Sequence, residues 1–239
     1  MSTDAEREKV RRFAADCAAA LVGDLRAVLV QRDNGVRKNP PPTVLIVTSI
    51  TAQLLRHVAE LARRTKGIAL PLLLDDEYLT TSCDVFPLEI LTLMRTCDLL
   101  WGDSNPLDGL VLDQDNLRLE IEQQLKGKVL HLRQAYLGGA GDKRSLRSLM
   151  LDSSAGFEEI MRGLLALAGR EHAAGGNGSA REVESATGVS LETFRLVRTE
   201  SEHGRPSAGG DVDELFHRYL GELSDLARAA DRITRSRRT

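Results

Sequence analysis

Aromatic side chains are scarce in this sequence: Phe, Tyr and Trp together make up 4% of its 239 residues. A core must therefore be built mainly from Leu, Val, Ile and Ala. Apolar residues (42%) and charged residues (28%) are otherwise present in the proportions of an ordinary globular protein. The chain is long enough to bury a core in one large domain or two modest ones, so we expect it to be folded.

Cysteine and histidine are also few. Cys17, Cys83 and Cys97 are widely separated, which argues against a disulfide framework or a zinc cluster and favours reduced, buried thiols. The five histidines show no ligand spacing and no partnered nucleophile. There is no Walker loop and no glycine-rich dinucleotide motif. These absences make a metal centre, acyl transfer and the common nucleotide-binding loops poor explanations of function.

Long apolar runs and an excess of one charge are absent too. No stretch approaches the roughly 18 apolar residues of a membrane span, and residues 1–12 are charged where a signal peptide would be apolar. With 32 basic and 35 acidic side chains, the chain has no general attraction to nucleic acid or anionic membrane. We expect a cytoplasmic protein with no membrane partner and no nucleic acid. The basic tail (Arg232, Arg235, Arg237, Arg238) is expected to be solvated.

The front half, residues 1–112, alternates helical and strand patterns. Apolar residues at three- or four-residue steps predict a helix through Val10, Phe13, Cys17 and Leu21. Short apolar runs predict strands at 25–30, 43–47 and 68–74, with a second helix around Leu54 to Ala62. Pro71 cannot donate a ladder hydrogen bond, which places the third strand at a sheet edge or a bulge. Asp75 is expected to cap a short helix, and Pro87 to begin the next.

The rear half, residues 113–239, has helical periodicity almost throughout. The pattern predicts one long helix over 116–137, then shorter helices near 146–150, 157–168, 179–187 and 191–197. A last long helix follows Asp211. Ser179 and Glu182 fit a capping box, and Gly127 in mid-helix suggests close approach of another backbone. The rear half is therefore predicted to be an all-α bundle.

One segment carries a resemblance to a known family. Residues 84–91 (DVFPLEIL), 99–103 (LLWGD) and 117–134 (LRLEIEQQLKGKVLHLRQ) resemble bacterial nucleotidyltransferase-domain proteins, distant relatives of kanamycin nucleotidyltransferase and the minimal nucleotidyltransferases. About 65 residues match well, and the flanks match in the order of their elements. The resemblance implies an α/β (α+β) domain with a mixed sheet at 1–112, followed by the helical domain at 113–239.

The resemblance also implies a catalytic centre that this chain lacks. The family places a Gly-Ser turn after the first strand and two carboxylates, one residue apart, on the second strand. The carboxylates hold the magnesium ion that bridges triphosphate oxygens, and the backbone amides of the turn bind phosphate. Here Gln31 and Arg32 occupy the turn, and Pro42 to Leu45 occupy the place of the acids. No acidic residue lies between Asn39 and Ala59.

Other charged residues remain as candidates. Asp75 and Asp76, with Glu77, follow a strand end and could share a cation, although consecutive acids also stabilise a helix start. Asp33 could replace a missing ligand. Arg32, Lys126, Lys128 and Arg133 could contact a nucleotide phosphate. On the long helix, Glu122 is spaced to pair with both Arg118 and Lys126, so a salt-bridged surface is the alternative to a phosphate site there.

Three functions follow from these observations. The first is a catalytically inactive nucleotidyltransferase-like protein, retained as a binding or regulatory module, whose helical half supports a homodimer or a protein partner. The second is an active Mg-dependent enzyme with relocated carboxylates; only this hypothesis requires Mg and ATP, and otherwise no cofactor is expected. The third is a purely structural helical adaptor.

Overall fold

The computed structural model describes residues 4–32, 41–139, 142–154, 156–170, 177–204 and 210–235. They belong to two compact units, Met1–Leu112 and Asp113–Thr239. Asp33, the Asn34-Gly35 pair, Arg237 and Arg238 lie outside the described residues. Within the described part of the chain, no helix has both the length and the apolar character that crossing a membrane requires.

The first unit is an α/β structure built around four strands. Its elements are α1 (Asp4–Ala20), β1 (Leu25–Gln31), β2 (Thr43–Val47), α2 (Ala52–Arg64), β3 (Leu72–Asp75), α3 (Asp76–Ser82), α4 (Pro87–Thr96) and β4 (Cys97–Trp101). The strand order is β3-β2-β1-β4. β1 pairs antiparallel with β2 and β4, and β2 pairs parallel with β3. The predicted mixed sheet is confirmed.

Helices cover both faces of this sheet. On one face, Phe13 and Cys17 of α1 and Leu54 of α2 pack with Leu45 and Val47 of β2. On the other face, side chains from α3 and α4 pack against the alternate strand positions: Leu79, Ile90, Ala27, Leu29, Val44 and Ile46. Because successive residues of a strand point to opposite faces, β2 is buried along its whole length.

Three local signals in the first unit are confirmed. Asp75 caps α3, since its side chain accepts a hydrogen bond from the Tyr78 N–H, and Pro87 is the first residue of α4. β3 lies at the sheet edge, as Pro71 predicted. The strand is shorter than predicted, because it begins only at Leu72, immediately after the residue that has no N–H to donate.

The second unit consists of helices: α5 (Gln114–Gly139), α6 (Lys143–Ser154), α7 (Phe157–Leu167), α8 (Asn177–Thr187), α9 (Glu192–His203) and α10 (Val212–Arg235). α5 and α10 run antiparallel. Tyr136, near the end of α5, donates to Asp213 at the start of α10 over 2.9 Å, and Arg118 at the start of α5 lies 3.5 Å from Asp231 near the end of α10. The predicted helical rear half is confirmed.

Two predictions of detail in this unit are wrong. α8 begins at Asn177, so Ser179 lies inside the helix rather than capping it, and its hydroxyl donates to Glu158 on α7 over 2.7 Å. The partner of this hydroxyl is a partly buried carboxylate on a neighbouring helix rather than the local backbone. Gly127 does not face another backbone, because a Cβ there would meet no atom within 4 Å.

Candidate functional site

The start of β2 is where the family resemblance places the catalytic acids. The Gln31 N–H at the end of β1 donates to the Pro42 carbonyl over 2.9 Å, which fixes this corner of the sheet. Thr43 is only 1% exposed, and its hydroxyl has no hydrogen-bond partner among the described residues. Val44 and Leu45 follow it into the core. Residues 42–45 themselves offer no carboxylate, so they do not fit a magnesium ion.

The polar residues around this corner bind one another. The Arg32 guanidinium lies 3.1 Å from the Asp98 carboxylate on β4. The Arg32 N–H donates to the Thr96 carbonyl over 2.7 Å, and the Gln31 amide donates to the Thr96 hydroxyl over 3.3 Å. Arg32 was predicted as a phosphate ligand. Its side chain is exposed enough to meet an anion but already forms an ion pair with Asp98.

The acidic cluster at the end of β3 is used structurally. The two carboxylate oxygens of Asp75 accept from the N–H groups of Tyr78 (2.8 Å) and Ile50 (3.3 Å). Asp76 lies 3.3 Å from the Arg26 guanidinium. The described residues contain no group of three or more His, Cys, Asp or Glu side chains placed to hold a metal ion. A cation at Asp75 and Asp76 stays a prediction.

The charged face of α5 carries the ion pairs that its spacing predicted. Arg118 donates to Glu122 over 2.9 Å, and Lys126 pairs with the other oxygen of Glu122. Glu122 is thus shared by two basic side chains, while Arg118 also reaches Asp231 on α10. The salt-bridged surface considered for this helix is therefore present, and it continues onto α10.

Lys126 and Arg133 meet in a groove between α5 and α10, which we call the α5–α10 groove. Its volume is about 500 Å³. The residues that line it are Glu122, Lys126, Val129, Leu130, Arg133, Ser224, Ala227, Arg228, Asp231 and Arg232. Basic side chains outnumber acidic ones, and Val129, Leu130 and Ala227 supply apolar surface. The groove therefore combines positive charge with apolar contact area.

Lys128 does not join the α5–α10 groove. Two residues further along the helix than Lys126, it faces α7, where its ammonium lies 5.0 Å from the centre of the Phe157 ring. Burial lowers the pKa of Lys128, although the nearby Glu159 carboxylate opposes the shift. Of the predicted phosphate ligands on α5, the structure brings two together and separates the third.

Sequence reasoning missed the contribution of α10 to this groove. Arg228 was not singled out, and Arg232 was grouped with a solvated tail. Ala227, Arg228, Asp231 and Arg232 recur at helical spacing beside the buried Leu226 and Ala230, so one polar stripe on α10 was detectable. The sequence could not show that this stripe lies beside the charged face of α5 that carries Lys126, because that position depends on the antiparallel packing of α5 and α10.

Comparison with known proteins supports the fold. No family model matches the sequence, and no curated protein matches it. Among solved structures, the chain is similar to spectinomycin adenyltransferase AAD(9) from Enterococcus faecialis, a structure determined with ATP and spectinomycin. The TM-score is 0.50 at 10% sequence identity, over 93% of this chain and 100% of that one. The likeness shows a nucleotidyltransferase-like fold.

Proposed function

We propose that this chain is a catalytically inactive nucleotidyltransferase-fold protein that acts as a binding or regulatory module. One observation carries the proposal: the start of β2, where the fold's metal-binding carboxylates are expected, is uncharged and buried. Thr43, Val44 and Leu45 are 1%, 3% and 0% exposed, respectively. A hydroxyl and two hydrocarbon side chains occupy the place of two anions.

Nucleotidyl transfer on this fold has two requirements that this strand does not meet. Magnesium is held by hard oxygen ligands, usually carboxylates, together with triphosphate oxygens and water. Those ligands must also be accessible to the nucleotide and to the attacking hydroxyl. Helices pack against both faces of β2, and Thr43 is 1% exposed, so its side chain is not accessible to an ion or a triphosphate.

An active enzyme with relocated carboxylates is the rival proposal. Its candidates within the described residues are Asp75, Asp76 and Glu77. Asp75 would have to give up hydrogen bonds to Tyr78 and Ile50, and Asp76 its ion pair with Arg26. The cap on α3 alone is worth about 1 kcal/mol, so metal binding there would compete with folding of the unit. These contacts favour the inactive protein.

Activity can be tested directly. We expect the purified chain to incorporate no radiolabelled NMP from any of the four NTPs into aminoglycoside, nucleotide or protein acceptors, with or without Mg²⁺, because no carboxylate pair is accessible at β2. The matched control is Asp75→Asn with Asp76→Asn, which removes the rival's ligands. EDTA-sensitive incorporation by the unaltered chain would contradict the proposal, and its loss in the double variant would locate the ligands at β3.

Measurements of small-molecule binding distinguish a regulatory module from a structural adaptor. A module should show a shift in melting temperature with at least one small ligand, without any requirement for Mg²⁺. Unchanged melting curves with every nucleotide and anion tested, together with a stable homodimer by light scattering, would favour the adaptor.

A further inference from the structure

The α5–α10 groove is positively charged, whereas the chain as a whole is negative. Five basic side chains lie in or beside it (Arg118, Lys126, Arg133, Arg228 and Arg232), against three acidic ones (Glu122, Asp225 and Asp231). The chain as a whole has a net charge of −3. The groove is thus locally positive on a protein that is negative overall, and a ligand that it attracts should be an anion.

The ion pairs in the groove are unevenly distributed. Lys126 pairs with Glu122, and Arg228 pairs with Asp225. Arg133 and Arg232 both line the groove, yet neither forms an ion pair or a side-chain hydrogen bond with the described residues. These two guanidiniums keep their donors available, and a guanidinium presents a planar fork that matches carboxylate or phosphate oxygens.

The two available arginines lie at opposite ends of the groove. Arg133 is towards the C-terminal end of α5, and Arg232 is towards the C-terminal end of α10. Because the helices run antiparallel, these ends point in opposite directions. Glu122 and Arg133 span about 16 Å of the α5 axis, and Ser224 and Arg232 span about 12 Å of the α10 axis. The groove is therefore elongated.

The surface between the two arginines is partly apolar. Leu130 is 58% exposed, and Val129 and Ala227 lie beside it in the groove. Burying the exposed surface of such a leucine against an apolar ligand would be energetically favourable. At about 500 Å³, the groove also has the volume of a small-molecule site. A ligand that fits should have an apolar body.

We propose that the α5–α10 groove binds an elongated small organic anion with a negatively charged group at each end and an apolar body between them. Arg133 holds one end and Arg232 holds the other. Lys126 and Arg228 add positive charge along the walls, and Leu130, Val129 and Ala227 contact the body. The charged ends are carboxylates or phosphates, since a guanidinium binds both. The site lies wholly within the second unit and does not depend on the first unit being inactive.

This proposal is tested by isothermal titration calorimetry, which measures the affinity of the full chain for probes of graded length. The carboxylate probes are succinate, adipate, sebacate and dodecanedioate, and the bisphosphate ester of decanediol distinguishes phosphate ends. Decanoate is the one-ended control. We expect affinity to rise with length, and decanoate to bind at least about tenfold more weakly than sebacate, because it loses one charge-assisted contact.

Substitutions test whether each of the two arginines binds one charged end of the ligand. Arg133→Gln and Arg232→Gln should each weaken the best dianion by about tenfold or more while leaving decanoate binding nearly unchanged. Arg218→Gln, an exposed arginine on α10 outside the groove, is the matched control and should bind as the unaltered chain does. Equal affinity for succinate and sebacate, equal effects of Arg218→Gln and Arg232→Gln, or no binding of any probe would each overturn the proposal.

Discussion

Gly127 and Gly102 show how differently two glycines can be placed. Gly127 lies inside α5, where an added Cβ would meet no atom within 4 Å. Gly102, just after β4, has φ +122°, and a Cβ there would lie 2.7 Å from the Arg26 carbonyl oxygen. The first glycine only weakens its helix, whereas the second permits a backbone conformation and a close approach that side chains forbid.

We therefore predict opposite effects of the same substitution. Gly127→Ala should raise the free energy of unfolding by about 1 kcal/mol, because alanine has the higher helix propensity and the space is open. Gly102→Ala, as the contrasting control, should lower it by about 1–3 kcal/mol through backbone strain, with the clash adding to the loss. Urea denaturation followed by circular dichroism measures both. A destabilised Gly127→Ala protein would mean that something packs against that position.

The sequence alone could identify what the candidate corner lacks, but not how it is packed. The missing carboxylates between Asn39 and Ala59 are visible in the sequence. Only the structure shows that Thr43 is buried and that its hydroxyl has no partner among the described residues. Likewise, Asp76 could not be assigned to Arg26 without knowing that β1 and the start of α3 are close in space.

At the scale of elements, the start of α9 depends on a side chain from another helix. Leu191 precedes α9 and provides no side-chain cap. Instead, the Glu222 carboxylate on α10 accepts from the N–H groups of Thr193 (2.7 Å) and Phe194 (2.8 Å). Thr193 and Phe194 are buried, so water cannot replace these bonds. The start of α9 is therefore held by a side chain from α10.

Replacing Glu222 should loosen the start of α9. Glu222→Ala leaves two buried N–H groups unpaired and should cost about 2–4 kcal/mol of stability, and Glu222→Gln, which keeps one acceptor oxygen, should cost less. Chemical denaturation measures the loss, and hydrogen exchange should show faster exchange at the first turn of α9. If α9 keeps its protection in Glu222→Ala, the carboxylate is not what holds the helix start.

Glu222 also makes the stability of the folded protein depend on pH, and the direction of that dependence can be predicted. Burial raises the pKa of Glu222 in the folded protein, outweighing the N–H donors of Thr193 and Phe194 that lower it. The folded state then binds the proton more tightly than the unfolded state, so this group's contribution to stability falls as pH rises from the ordinary glutamate pKa through the raised one. Glu222→Gln should lack that fall when unfolding is compared across this range.

Most elements could be predicted because their signals are local. Apolar periodicity located α1, α5 and α10, and turn-bounded apolar runs located β1 and β2. One of the missed boundaries lies beside a contact with a distant partner. Ser179 lies inside α8 and its hydroxyl binds Glu158 on α7, while α9 extends to His203, well past the predicted Val197. The cap from Glu222 lies about thirty residues away in sequence and leaves no local pattern.

At the scale of the whole molecule, each unit has its own buried core. In the second unit, Leu125, Phe157, Phe194, Tyr219 and Leu226 are all fully buried. Phe194 packs against Phe157 and Tyr219. Arg147 also forms a two-point ion pair with the nearly buried Glu200, which joins α6 to α9. These contacts lie between residues of one unit.

We therefore expect residues 113–239 to fold when expressed alone. Because its aromatic core and ion pairs are internal, the fragment should show a helical circular dichroism spectrum and one cooperative unfolding transition. Phe194→Ala in the same fragment is the control, and it should lower stability by about 3–5 kcal/mol. A fragment with helical signal but no cooperative transition would indicate that its core is completed by residues before Asp113.

The covering of β2 on both faces has a consequence for how this protein could change. A catalytic strand must keep the polar residues that its reaction requires. In a strand that is buried between two layers of helices, the residue types are constrained only by volume and hydrophobicity. Acids placed at Thr43 and Leu45 would therefore enter a dry interior and unfold the unit before they could meet a metal. Under the proposed function, transferase activity at β2 would require a layer of helices to be displaced from the sheet as well as two substitutions.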